Sequence, residues 1–207
     1  MKKLFWIALA FSLVQTSSGA SVSAAVSPQR LPQEPEMSAV VKRILAMTGL
    51  QNDVRVVIDP STKTCAYATT VSGRQYIGVD LDCVGPLRTG ERYNWRALGI
   101  LTHELGHLLG GHTTNSTSSH QEESEADAWA GWAMYRLGAT LAEAQTVFAT
   151  FSVSASKTHP ARAVRLASVA RGWERARAGT TPLRKSPPHK NRWREFLSRP
   201  VPWVLAD

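Results

Sequence analysis

An α+β fold, in which a small antiparallel sheet packs on helices, is predicted by three features of the sequence. Between residues 53 and 79 lie three short extended runs, the first alternating apolar and polar side chains with the period of a half-buried strand. From about residue 94 the period changes to steps of three and four, with Leu98, Leu101, Leu105 and Leu108 forming the apolar stripe of a helix. Glycine and proline punctuate the junctions, so neither pattern runs into the other.

Taken in order, Lys2 and Lys3 precede an apolar run over residues 4–14, and Val22-Ser23-Ala24 ends a stretch of small residues. Residues 1–24 are therefore expected to be a signal peptide that is removed on export, the alternative being an uncleaved anchor. No later stretch approaches the roughly 20 apolar residues of a membrane helix. Residues 25–36, with Pro28, Pro32 and Pro35, read as a linker, and folding is expected to begin near Met37. A helix over 37–47 carries Val40, Val41, Ile44 and Leu45 and is closed by Gly49. A strand over 53–59 ends at Pro60, and extended runs at 65–71 and 75–79 flank the turn dipeptide Ser72-Gly73.

The helix with the leucine stripe stops at Gly110-Gly111, and the polar run 113–119 is a loop. Gln121 begins a helix that stops at Gly138, a further helix covers 141–151, and Pro160 opens a last one with Val164, Leu166, Val169 and Trp173. The domain thus spans residues 37–179, and 180–207 is a basic, proline-rich tail without a core of its own.

Charge separates the same two parts. Residues 25–170 carry 13 basic and 13 acidic side chains, whereas 171–199 carry nine and two, a surplus of seven, so the basic character belongs to the C-terminal end. A neutral domain gives no support to a nucleic-acid partner. The tail is suited to contact with an anionic membrane or cell wall. Cys65 and Cys83, in a chain bound for an oxidising periplasmic or secreted location, are expected to pair in a disulfide, the alternative being two buried thiols.

The chemistry is concentrated in His103-Glu104-Leu105-Gly106-His107. Two imidazoles one helical turn apart can reach a single Zn2+, and Glu104 lies near enough to act as general base without being a ligand. This is the arrangement of a zincin. A catalytic zinc needs a third protein ligand and an open position. A histidine beyond the glycine turn would supply it in the metzincin pattern, but that position is Thr113 and His112 falls one residue early. The alternative is Glu123, four residues before Asp127 on the next helix; Asp127 could then hold the outer ring N–H of a ligand histidine. Glu123 is the preferred third ligand, with Glu122 and Glu125 read as solvated carboxylates and His112, His120 and His189 as loop or surface histidines.

These motifs resemble the gluzincin peptidases that include the CAAX prenyl proteases and the soluble periplasmic assembly-enhancing metalloproteases. The likeness covers most of residues 53–176. Thr102-His103-Glu104-Leu105-Gly106-His107 is similar to that family's zinc helix, Glu123-Ser124-Glu125-Ala126-Asp127 to its Glu-x-x-x-Asp helix, and His159-Pro160 with Arg165 to its later His-Pro and Arg pair. Cys65-Ala66-Tyr67-Ala68 resembles its strand before the zinc helix, with Cys65 where asparagine is usual. The resemblance implies hydrolysis of a protein or peptide substrate with one Zn2+ per chain. It implies His159 as a donor to the oxyanion, against the plain reading of a helix-start residue. It makes Ala66, Tyr67 and Ala68 the edge that receives substrate, and it leaves Arg165 either positioning the site or pairing with a carboxylate. Rival readings are a zinc-binding interaction module without turnover and an anionic-surface binder that works through its tail.

Overall fold

The computed structural model describes residues 33–50, 52–112 and 119–179. The leader, most of the linker, the basic tail and His189 lie outside them. The compact unit that begins at Pro32 has the order α1 (Gln33–Thr48), β1 (Val54–Ile58), β2 (Ala66–Val71), β3 (Arg74–Val79), α2 (Leu81–Val84), β4 (Arg88–Thr89), β5 (Arg92–Tyr93), α3 (Trp95–Gly110), α4 (His120–Leu137), α5 (Leu141–Ala144) and α6 (Arg162–Arg177). A 3-10 turn at Phe148–Thr150 lies between the last two. No helix among the described residues is long and apolar enough to cross a membrane. The fold is α+β, as expected.

Helix α1 begins at Gln33, earlier than the proline content suggests, because Pro35 falls in the first turn, where a missing N–H costs nothing. Its expected face, Val40, Val41, Ile44 and Leu45, is buried. The sheet departs from expectation in direction. β2 and β3 form the antiparallel hairpin, but β1 joins the far side of β3 in parallel, giving the order β1-β3-β2. The cause is visible in Tyr67. Its ring lies across Gly78 of β3, where an added Cβ would sit 2.3 Å from the ring, and its hydroxyl donates to Asp59 Oδ2 at 2.8 Å, just beyond the end of β1. Tyr67 thus bridges from one edge strand to the other, and the Asp59 N–H extends the ladder by donating to the Val79 carbonyl at 2.8 Å.

The cysteines at the two ends of the hairpin region form the expected disulfide, with Cα atoms 5.1 Å apart. The Asp80 N–H donates to the Cys65 carbonyl beside it at 2.9 Å. Short α2, unseen in the sequence pattern, starts there with Asp80 as its N-cap.

The helical layer holds most of the core. α3 buries Leu98, Leu101, Leu105 and Leu108 as its stripe implies, with Asn94 as N-cap and Gly111 as a left-handed C-cap. The helix expected over 141–151 is broken instead: α5 stops at Ala144, and the chain turns so that Val147 and Phe148 enter the core. Val147 packs where a side chain on Gly99 would be, 2.6 Å from the Cβ position, and this contact with α3 outweighs helical continuity. α6 starts at Arg162, so Pro160 lies before the helix and not in its first turn. Val169 is buried and Leu166 and Trp173 pack against the core as expected, but Val164 is exposed, and Arg165, Ser168, Gly172 and Ala176 also face inward.

Small residues face inward because α4 and α6 touch at their backbones. A Cβ on Gly172 would lie 1.6 Å from the Ala128 carbonyl oxygen, and one on Gly131 would lie 2.0 Å from that of Val169. Neither carbonyl can yield without parting the helices. Gly172→Ala is expected to cost about 2 kcal/mol or more as overpacking against backbone, read as a fall of several degrees in Tm. A Tm within about 2 °C of wild type would show that the crossing tolerates separation. Removing the disulfide with Cys65→Ala and Cys83→Ala should cost about 3 kcal/mol, since the bridge closes a loop of 18 residues. Urea unfolding measures the loss, and alkylation of both thiols in unreduced exported protein would contradict the bridge itself.

Candidate metal centre

Three helices meet at His103, His107 and Glu123. The i and i+4 spacing on α3 puts both imidazoles on one face, opposite the leucine stripe, with their Nε2 atoms 3.1 Å apart. α4 begins at a full capping box, in which Ser119 accepts from the Glu122 N–H and the Glu122 carboxylate accepts from the Ser119 N–H. That box fixes the helix phase and adds a capping role to Glu122 at an exposed helix start. One residue on, Glu123 points to the histidines, with Oε2 3.6 Å from His103 Nε2 and Oε1 3.4 Å from His107 Nε2. The approach depends on Gly106, since a Cβ there would meet the Ala126 carbonyl oxygen at 2.9 Å.

Asp127, one turn along α4 and fully buried, accepts from His103 Nδ1 at 2.9 Å. Arg165 of α6 grips the same carboxylate with two hydrogen bonds, Nη2 to Oδ1 at 2.6 Å and Nε to Oδ2 at 2.8 Å. Arg165 therefore does both things the sequence left open: it pairs with a carboxylate, and through it orients the site. Its guanidinium lies over Phe151 and Phe148, 4.2 and 5.4 Å from the ring centroids, and its Nη2 is also 3.6 Å from Glu123 Oε2. These two aromatic contacts were not legible in the sequence.

The charges respond in consistent directions. Burial pushes the His103 imidazole down, but its hydrogen bond to Asp127 and the nearby carboxylates more than offset this and hold it above the usual value. His107 goes the other way, lowered by burial and by the adjacent His103. Burial would raise Glu123, yet the His107 hydrogen bond with the His103, His107 and Arg165 charges brings it down to about 2. Arg165 is held above its ordinary range by Asp127 against its own desolvation.

Ligand atoms from His103, His107 and Glu123 lie within 4.8 Å of one another, so the group could hold a metal ion. A fit test comes from Glu123 itself, because its Oε2 is buried and has no hydrogen-bond partner among the described residues. Arg165 Nη2 stands 3.6 Å from this oxygen as an ion-pair neighbour without donating a hydrogen bond to it, which leaves a buried acceptor that a further cation would satisfy. Two imidazole nitrogens and one carboxylate are also the donor set that suits Zn2+.

The remaining expected residues fall around this cluster. Glu104 follows His103 on α3, half-buried, with its charge acting on both imidazoles. His159 is exposed, with Nε2 3.8 Å from Glu123 Oε2 and Nδ1 2.7 Å from Thr158 Oγ1. The 3-10 turn and the loop after it, not a helix start, carry it there. Ala66, Tyr67 and Ala68 belong to β2, an edge of the sheet that packs on α3. His112 and Glu125 were misjudged. Neither is a plain surface residue: His112 is buried, its Nδ1 is 2.9 Å from His107 Nδ1, and its Nε2 is 3.1 Å from Glu125 Oε2. The overlooked signal is Gly110-Gly111, a left-handed turn that sends the next residue back over the helix it ends.

Comparison with protein-family models, with curated proteins and with solved structures found no match in any of the three. By themselves, the fold and site establish an α+β chain with a His-His-Glu group able to hold a metal ion.

The Asp127–Arg165 pair is nearly inaccessible to solvent, so removing one partner should be expensive. Arg165→Met is expected to lose about 3 kcal/mol by leaving a buried carboxylate short of donors. The double variant with Asp127→Asn should recover part of that loss. A single-variant cost below about 1 kcal/mol in urea unfolding would show that the pair is not the support described.

Proposed function

We propose that this chain is an exported zinc-dependent endopeptidase of the gluzincin kind. The observation that carries the reading is the buried, undonated Oε2 of Glu123 facing two converging imidazole nitrogens, beside a glutamate that is not part of the group. Zinc would be held by His103, His107 and Glu123, and when bound it would supply a Lewis acid that makes water a nucleophile near neutral pH.

The chain's own groups have distinct tasks in this reading. Glu104 takes the proton from the attacking water and returns it to the leaving amine. His159, on the solvent side of the cluster, donates to the oxygen on which negative charge develops. Asp127 fixes His103 with its Nδ1 protonated, so that Nε2 is left as a lone pair. The outer edge of β2 around Ala66, Tyr67 and Ala68 receives the substrate as an added strand, and the disulfide at its start keeps that edge in register. Residues 1–24 would direct the chain to the periplasm or outside the cell, where that bridge persists.

Metal analysis of the purified mature chain should give about one zinc, as the three-ligand set requires. Casein hydrolysis should stop with a chelator. Glu104→Gln should keep the zinc and lose activity by about 10² to 10⁴ fold, whereas Glu123→Gln should loosen the metal itself. Hydrolysis that continues in metal-free protein would sink the mechanism.

A further inference from the structure

We propose that His112 and Glu125 form a positioning relay that sets the tautomer and orientation of His107 at the metal. The inference rests on the metal-centre reading and adds to it an outer partner for the second histidine, which neither the motif nor its spacing supplied.

The contact sequence is continuous. His107 Nδ1 lies 2.9 Å from His112 Nδ1, His112 Nε2 lies 3.1 Å from Glu125 Oε2, and Gln121 Nε2 donates to Glu125 Oε1 at 3.0 Å. Proton positions follow by elimination. A carboxylate only accepts, so with both rings neutral His112 carries its proton on Nε2 and presents a bare Nδ1. His107 must then carry its own proton on Nδ1, which leaves the Nε2 lone pair aimed at His103 and Glu123. With the opposite filling, His112 Nε2 and the carboxylate would face each other as two acceptors. Glu125 therefore selects, through one intervening ring, the only neutral tautomer of His107 that can bind a cation.

The backbone is built around this ring. Gly111, at φ 68° and ψ 25°, turns the chain back on α3, and the His112 N–H donates to the His107 carbonyl at 3.0 Å. The imidazole then lies on Gly110, where a Cβ would be 2.5 Å from Nε2 and 2.7 Å from Cε1. Two consecutive glycines thus do separate things, one turning the chain and one making room. Burying an imidazole is unfavourable unless both nitrogens are satisfied, and here both are. The two ligand histidines are consequently held differently, His103 by a carboxylate directly and His107 by a carboxylate at one remove.

The test compares Zn2+ affinity, by competition with a chromophoric chelator, in wild type, His112→Phe and Glu125→Gln. The visible ligand-field spectrum of the Co2+-loaded proteins is recorded alongside. His112→Phe keeps ring volume and is expected to weaken zinc about 10 to 100 fold with a shifted Co2+ spectrum. Glu125→Gln should change both in the same direction by less. A role in packing alone would lower Tm and leave the Co2+ spectrum where it was. Glu125 is only partly buried, so its variant keeps the test readable if His112→Phe does not fold. A wild-type chain that takes up no zinc overturns the metal-centre reading and the relay with it. A wild-type chain that binds zinc, with either variant binding as tightly and with an unchanged Co2+ spectrum, overturns the relay alone.

Discussion

The Asp127 carboxylate is the interaction on which the rest of this structure depends. It is fully buried, it takes two hydrogen bonds from Arg165 and one from His103, and each partner comes from a different helix. A buried anion is stable only when its neighbours remain in place. The glycine contact between α4 and α6 can be understood as serving that demand, because Arg165 reaches Asp127 bidentately only if the two helices lie backbone to backbone. The small residues of α6 and Gly131 of α4 are thus part of the site, although they stand well away from the histidines.

Much of this was legible in the sequence. The leucine stripe placed α3, the spacing of His103 and His107 gave one face, and the spacing of Glu123 and Asp127 gave another, because each rests on the helical period alone. The pairing of Cys65 with Cys83 could likewise be anticipated. Relations between elements were harder to read. The face of α6 was legible only in part: Val169 is buried and Leu166 and Trp173 pack on the core, but Val164 is exposed, and an arginine, a serine and a glycine also point inward beside α4. The direction of β1 was misjudged because strand alternation says which side is buried and nothing about which edge is joined; Tyr67 and Asp59 decide that. The interruption after α5 reflects Val147 filling the space above Gly99, a fact that no local propensity contains.

His112 shows a different limit. A histidine after two glycines reads as a loop residue, since composition reports the turn and not where the turn leads. Once the left-handed cap is in place, the ring has one position available to it over Gly110, and its contacts follow. The outer surroundings of the two candidate ligands then differ in charge as well as geometry. His103 is backed by a carboxylate that Arg165 neutralises, and His107 by an imidazole with a carboxylate behind it.

The strand order has a consequence for how the chain reaches this state. β2 and β3 are joined by Ser72-Gly73 and can close as a hairpin at little entropic cost, whereas β1 must pass the whole hairpin to add to the far edge of β3. The topology therefore makes the hairpin the cheaper nucleus and β1 a late arrival, secured when the Tyr67 hydroxyl finds Asp59. Oxidation of Cys65 and Cys83 draws the hairpin ends together without any help from β1. An oxidising compartment would then speed the first stage of folding and leave the second to diffusion of the chain, so that the bridge would act as a scaffold for assembly before it acts as a brace for the finished protein.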